Sequence, residues 1–432
     1  MVSFPKYESY QSTEEDWLGD IPQHWQLLRT KSIFRLVAEP APNNNDEELL
    51  SVYSDIGVKP RRELEERGNK ASTTDGYWLV KKGDIIVNKL LAWMGAIGLS
   101  EYDGVTSPAY DILRAYKPIN SKFYHYLFRN PICINKLKKH SKGIMEMRLR
   151  LYFDEFGNIK IPYPPLEDQN RIVEFLDRKT AEIDQAIKQK QRLIKLLKEQ
   201  KAILIDRAVT RGLNPNVPMR DSGVEWIGKI PEHWKLKKAK HVLKAIIDAE
   251  HKTAPSFENG EYLIARTSNV RDGKIRLNDA LYTDNHHYQQ WTKRAIPEPG
   301  DILFTREAPA GEACILPSDM QVLMGQRMVL MKVNAKILDA RFAVFSIYGG
   351  AAKQYIINLS VGSTVVHLNM SDIGNIPILM PDLKEQFKIS QYLDQISIEF
   401  NTAIEMEHQG ISCLIQLKES LISSVVTGKI KI

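Results

Sequence analysis

The stretch LYFDEFGNIKIPYPPLEDQNRIVEFLD, Leu151–Asp177, returns without a gap as LNMSDIGNIPILMPDLKEQFKISQYLD, Leu368–Asp394. Leu151/Leu368, Gly157/Gly374, Asn158/Asn375, Ile159/Ile376, Pro164/Pro381, Leu166/Leu383, Gln169/Gln386, Leu176/Leu393 and Asp177/Asp394 coincide. At the same offset GDIIV from Gly83 becomes GDILF from Gly300, and AVT from Ala208 becomes VVT from Val425. Upstream, WLGDIPQHW (Trp17–Trp25) is rewritten as WIGKIPEHW (Trp226–Trp234), keeping its Trp, Gly, Ile, Pro, His and Trp. Repeated blocks in one order mark a tandem duplication. Each half runs aromatic phrase, globular part, long helix. The intervals 35–150 and 244–367 match poorly, so the halves share a scaffold and differ in what it carries.

The helices announce themselves. No Pro or Gly interrupts 166–208, and PYPP (Pro162–Pro165) and LMPD (Leu379–Asp382) set both starts. Leu176, Ile183, Leu197 and Leu204 share one heptad track and Ile187, Ile194 and Ala208 another. In the second half Leu393, Phe400, Leu414 and Leu421 share a track, with Ile389, Ile396, Ile404, Ile411 and Val425 beside it. An internal two-fold would pack the two helices antiparallel. Residues 188–201 carry six basic side chains and one acid, either a solvated face or one turned to phosphate or an acidic partner. Gly410 marks a close contact or a kink, and RGLNPNVPMRDSGVE (Arg211–Glu225) reads as the linker.

With 432 residues, 43% apolar and 26% charged, the chain is globular and large enough for two or three domains. Net charge +6 leans towards a polyanion. Three cysteines without C-x-x-C oppose a disulfide framework or thiolate zinc site and fit a reducing cytoplasm. The N-terminus has no secretory pattern, and the apolar run Leu90–Leu99 is too short for a bilayer. There is no G-x-x-x-x-G-K-[ST], no H-E-x-x-H and no amino-methyltransferase [DNS]-P-P-[FYW]. Glu199–Lys201 lies on the heptad helix, and His286-His287 reads as surface loop. The expectation is a binding or scaffold role without catalytic or metal residues.

The divergent intervals carry side chains suited either to solvated loops or to DNA, where Lys and Arg anchor phosphates and Arg, Asn and Gln can pair with base edges. In the first half these are Lys59, Arg61, Arg62, Asn88, Lys89, Lys139, Lys142, Arg148 and Arg150. In the second they are Arg266, Thr267, Ser268, Asn269, Arg271, Arg306, Gln326, Arg327, Ser363, Thr364, His367 and Asn369. Met145 and Met147 stand where the second half has small polar residues, suited to a thymine methyl or to the core.

The segment GLNPNVPMRDSGVEWIGKIPEHW, the paired G-D-I strands and GNIxIxxPxLxxQxxI…LD leading into a long helix resemble the specificity (S) subunit of type I restriction–modification systems, the HsdS family. The resemblance spans nearly the whole chain. It implies an α+β fold: a tandem duplication of a mixed α/β target-recognition domain followed by a long helix, the two helices packed as an antiparallel coiled coil. The expected domains are 1–160 (first recognition domain), 161–212 (first long helix), 213–377 (linker and second recognition domain) and 378–432 (second long helix). The resemblance implies a non-catalytic subunit whose domains each read half of a split site on double-stranded DNA. Its helices would set the spacer and dock two modification subunits, which bind S-adenosylmethionine and methylate adenine N6. ATP- and Mg2+-dependent restriction subunits would join them. No cofactor is expected in this chain. The duplicated phrase then reads as scaffold, with Trp17, Trp25, Trp226 and Trp234 as apolar anchors and Pro22 and Pro231 fixing the turns. Unlike recognition regions imply unlike half-sites. A self-contained nuclease or methyltransferase, and a coiled-coil scaffold without DNA, are the competing readings.

Overall fold

A computed structural model of the chain describes residues 4–63, 74–143, 149–360 and 367–432. The chain divides into two compact units, residues 1–190 with 408–432, and residues 191–407. Each long helix therefore contributes to both units.

The first unit is built on a four-stranded antiparallel sheet in the order Phe34–Val37, Tyr110–Ala115, Ile85–Asn88, Ile97–Leu99. The second unit repeats the order with Leu243–Asp248, Met328–Val333, Ile302–Thr305 and Ala313–Ile315. Helices Ser121–Phe128 and Pro131–His140 cover the first sheet's core, and Ala340–Tyr348 and Gly350–Ser360 cover the second's. The duplication inferred from scattered identities is thus a duplication of topology. What differs is appended. The first unit adds the hairpin Leu50–Tyr53/Gly57–Pro60. The second adds Tyr262–Ala265 paired in parallel with Val322–Met324, and the short helix Asn285–Trp291.

The G-D-I motif is explained by a shared joint. Gly83 (φ +100°) and Gly300 (φ +87°) adopt left-handed backbone, where a side chain is strained. Asp84 accepts from the Lys81 amide at 2.8 Å and holds Arg114 at 2.8 Å, while Asp301 accepts from the Glu298 amide at 2.9 Å and holds Lys332 at 2.9 Å. Both carboxylates are buried, so each needs its partner.

The long helices run Leu166–Arg211 (46 residues) and Leu383–Val426 (44 residues). In the first unit Asp184 bonds Lys418 at 2.7 Å, and Lys190 lies against Gly410, so the segments are antiparallel there. A Cβ on Gly410 would meet Lys190 Nζ at 3.0 Å, which identifies this glycine with a close contact. In the second unit Lys201 donates to Asn401 at 3.1 Å and Gly212 lies beside Glu385, again antiparallel. Of the predicted seam, Leu176, Ile183, Ile194, Ala208, Ile389, Leu393, Leu421 and Val425 are buried.

The repeated phrase secures the start of each long helix. Trp25 and Trp234 are 1% exposed. His24 and Trp25 both bond Asp168, at 2.7 and 3.0 Å, and His233 and Trp234 both bond Glu385, at 2.9 and 3.1 Å. Each carboxylate sits in the first helical turn, where the helix dipole also favours a negative charge. The next residue repeats the device. Gln169 is fully buried, accepts from the Asn120 amide at 2.9 Å and donates to Pro164 O at 2.8 Å. Gln386, also fully buried, accepts from the Asp339 amide at 2.9 Å and donates to Pro381 O at 3.0 Å. Asn120 and Asp339 are the N-caps of the following helices, so one amide joins two helix starts. The tryptophans are not equal anchors, however. Trp17 is half-buried and Trp226 is 39% exposed, so the second tryptophan of each phrase carries the packing. All three cysteines are unpaired. Among the described residues no helix is long and apolar enough to cross a membrane.

Candidate nucleic-acid interface

In the second unit, backbone hydrogen bonds bring four candidate segments together. The parallel strands Tyr262–Ala265 and Val322–Met324 end side by side, with the Gly325 amide donating to Ala265 O at 2.8 Å. The Arg306 amide donates to Arg327 O at 3.1 Å, and the Leu368 amide to Arg306 O at 2.9 Å. Segments 266–269, 325–327, 306–307 and 367–369 thereby adjoin.

Their side chains form a network. Arg306 is buried and bonds Asp248 at 2.7 Å; His251 meets the same carboxylate at 3.1 Å. Arg306 Nη2 also donates to His367 Nε2 at 3.1 Å. Arginine has no acceptor, so that ring nitrogen must accept, and His367 gives its Nδ1 proton to Glu307 at 2.9 Å. Glu307 also bonds Arg327 at 3.0 Å. The His367 bond pulls the Glu307 carboxyl below its ordinary range, outweighing the burial that raises it, with Arg327 helping. Arg306 Nε and Asp248 Oδ1 are buried without a protein partner. Arg327, Gln326, His367, Ser268 and Asn369 are exposed around this network, and Gln326 meets Thr253 at 3.5 Å.

Several predicted contacts are engaged by the chain's own backbone and side chains. Asn269 is fully buried; it accepts from the Arg266 amide at 3.2 Å and donates to Arg276 O at 2.9 Å, so its amide shapes the loop and offers no edge to a base. Arg271 is half-buried, bonding Thr267 O and, at 2.7 Å, Val270 O. Arg266 bonds Asp279 O. Asn369 caps the helix Met370–Asn375, its amide donating to Asp372 at 3.0 Å. Ser363 and Thr364 lie outside the described residues. His286 and His287 stand on the helix Asn285–Trp291 and not in a loop, because Asp284 caps it through the His287 amide at 2.9 Å. Among the described residues no group of three or more His, Cys, Asp or Glu is arranged to hold a metal.

The first unit has a parallel arrangement. Lys89 stands where Arg306 does, and its carbonyl accepts from the Leu151 amide at 2.9 Å as Arg306 does from Leu368. It bonds Asp111 at 3.1 Å; burial raises that carboxyl, and Lys89 draws it back only in part. Lys142 and Arg150 are joined by paired backbone bonds of 2.9 Å; Met145, Met147 and Arg148 lie outside the described residues. Lys142 bonds Glu155 at 2.6 Å, and Lys139 and Arg150 are exposed. On the hairpin, Lys59 donates to Tyr102 Oη at 3.2 Å, Arg61 follows half-buried, and Arg62 bonds Glu48 at 3.0 Å. Asn88, 5% exposed, accepts from the Leu90 amide at 3.1 Å and is occupied by its own turn.

Sequence reasoning missed Arg129, Asp248 and Glu307. Arg129 donates to the carbonyls of Tyr53, Ser54, Asp55, Gly95 and Ile97 at 2.9–3.2 Å, tying the hairpin tip to the turn after Ile85–Asn88. An arginine ending the apolar run FYHYLF was the available signal.

The architecture defines a class: two unlike polar surfaces carried on one duplicated scaffold of sheet, helix pair and anchored long helix. The family model for the type I restriction modification DNA specificity domain matches residues 22–195 and again 231–409. The chain belongs to that family. It is 22% identical to the type I restriction enzyme MjaVIII specificity subunit of Methanocaldococcus jannaschii, covering 95% of this chain and 94% of that one. It is 20% identical to the EcoKI specificity subunit of Escherichia coli K12, covering 95% and 90%. Its fold is similar to a chain from a type I R-M system studied for complex assembly and conformational transition (TM-score 0.70, 16% identity, 94% and 98% covered). It is also similar to the HsdS subunit from Thermoanaerobacter tengcongensis (TM-score 0.54, 16% identity, 95% and 98% covered).

Proposed function

We propose that this chain is the sequence-specific DNA-recognition subunit of a type I restriction–modification complex and catalyses nothing itself. One observation carries the reading: two units of identical sheet order and helix anchoring present different polar side chains, Arg306–Asp248–His367–Glu307–Arg327 in one and Lys89–Asp111 in the other. Each unit reads one half of an asymmetric bipartite site on double-stranded DNA. The long helices set the spacer and dock two modification subunits. Leu193, Leu196 and Ile203, all exposed, fall on one face of the first helix at helical spacing and suit such docking. S-adenosylmethionine, ATP and Mg2+ belong to the modification and restriction subunits, and the complex works in the cytoplasm.

The test is the adenine-N6 methylome of the source cells with and without this gene. Loss of one motif, two unlike short half-sites around a fixed gap, is the expected result. An unchanged methylome, in cells shown to express the modification subunit, would refute the reading.

A further inference from the structure

The turn after each G-D-I strand is built twice, and the duplication supplies an internal control. In the second unit Glu307, Ala308, Pro309, Ala310 and Gly311 fill it, and Glu307 holds Arg327 and His367. In the first unit the turn holds Leu90, Leu91, Trp93 and Met94. It is fixed by the Leu91 amide to Asn88 O at 3.0 Å, the Met94 amide to Leu91 O at 2.9 Å and Trp93 Nε1 to Leu90 O at 2.9 Å. Yet Leu90 is 43%, Leu91 44% and Met94 51% exposed. The second unit folds its turn with small and polar residues, so the scaffold does not require this apolar surface.

Its surroundings indicate what covers it. Lys89 precedes the turn, Lys138 lies 5.4 Å over the Trp93 ring, and Lys139 is exposed on the same helix as Lys138. An apolar patch rimmed by lysines suits a polyanion that also displays methyl groups. In the major groove of DNA that group is the thymine C5-methyl. We infer that Leu90, Leu91 and Met94 read thymine methyls in the half-site of the first unit, an apolar element of specificity that the corresponding turn of the second unit, Glu307–Gly311, does not carry. The inference rests on the DNA-recognition reading above.

The experiment uses the full chain assembled with its modification subunits and duplexes carrying the site found by the methylome. Each thymine of the first half-site is replaced in turn by deoxyuridine, which lacks only the methyl, and affinity is measured by fluorescence anisotropy. Burying one methyl predicts about 4-fold weaker binding for at least one replacement. Leu91→Ala/Met94→Ala, and separately Leu90→Gln, are expected to bind the thymine duplex more weakly and to lose sensitivity to that replacement. Both should respond normally to replacements in the second half-site, which also reports that they are folded. Wild-type indifference to every first-half replacement, or undiminished sensitivity in both variants, would overturn the inference. A complex that does not prefer the site over a scrambled duplex would instead refute the DNA-recognition reading itself.

Discussion

Trp25 donates its indole N–H to Asp168 at 3.0 Å, and the same carboxylate accepts from His24 and Arg171. Burial raises the Asp168 carboxyl, but the hydrogen bonds from His24, Arg171 and Trp25 outweigh it and hold the group below its ordinary range. A depressed carboxyl contributes stability that is present above its unfolded value, near ~3.9, and lost as pH falls through the folded value. Denaturant unfolding between pH 6 and 2 should therefore show an acid-side loss that shrinks in Asp168→Asn. At pH 7 Asp168→Ala should cost about 1–3 kcal/mol, because the buried Trp25 N–H loses its acceptor.

The tryptophans separate anchoring from repetition. Trp234→Ala should destabilise the second unit by about 3–5 kcal/mol, whereas Trp226→Ala, at a site 39% exposed, should cost less than about 1 kcal/mol. Thermal unfolding of the two variants side by side checks this, and equal losses would refute the assignment.

Arg129 is a positioning residue for the first unit's hairpin. Lysine has three donors against the five carbonyls served here, and no planar fork. Arg129→Lys should raise hydrogen exchange at residues 53–57 and 95–97 and weaken discrimination at the first half-site, leaving discrimination at the second unchanged.

Phosphate and base contacts should part company in DNA titrations. Lys139→Ala should weaken binding by the same factor on every sequence and reduce the salt slope by about 1. Arg327→Ala should cost about 1–3 kcal/mol on the cognate second half-site and little on substituted ones. A sequence-independent loss for Arg327→Ala would place it on the backbone.

Much of this architecture was legible because repetition is a local signal. Gln169/Gln386 and Asp177/Asp394 coincide in the sequence, and the structure gives the reason: the first pair joins two helix starts, and the second receives Lys122 at 2.8 Å and Arg341 at 3.0 Å. The heptad tracks likewise held the buried residues Leu176, Ile183, Ile194, Ala208, Ile389, Leu393, Leu421 and Val425, whereas Ile187, Leu197, Leu204, Ile396, Phe400, Ile404, Ile411 and Leu414 on the same tracks are only half-buried. The interface was less legible. Whether Asn269 faces solvent depends on Arg276 and the Arg266 amide closing a loop round it, and whether Arg306 is free depends on Asp248, distant in sequence. Residue type announces capacity to bind DNA; burial decides who uses it. The interleaved units were also hidden, since heptads do not reveal which stretch of partner helix completes which core.

That interleaving has a consequence for synthesis. The first unit takes Leu421, Val425 and Val426 into its core, and the Lys431 amide donates to Pro5 O at 2.8 Å. All residues of the second unit precede them. On the ribosome, the half begun first is the half finished last: its core stands open until residues 408–432 emerge, while the later half can already close. A frameshift or proteolytic nick near Lys418 would thus injure the N-terminal recognition unit and spare the one beside it in the gene.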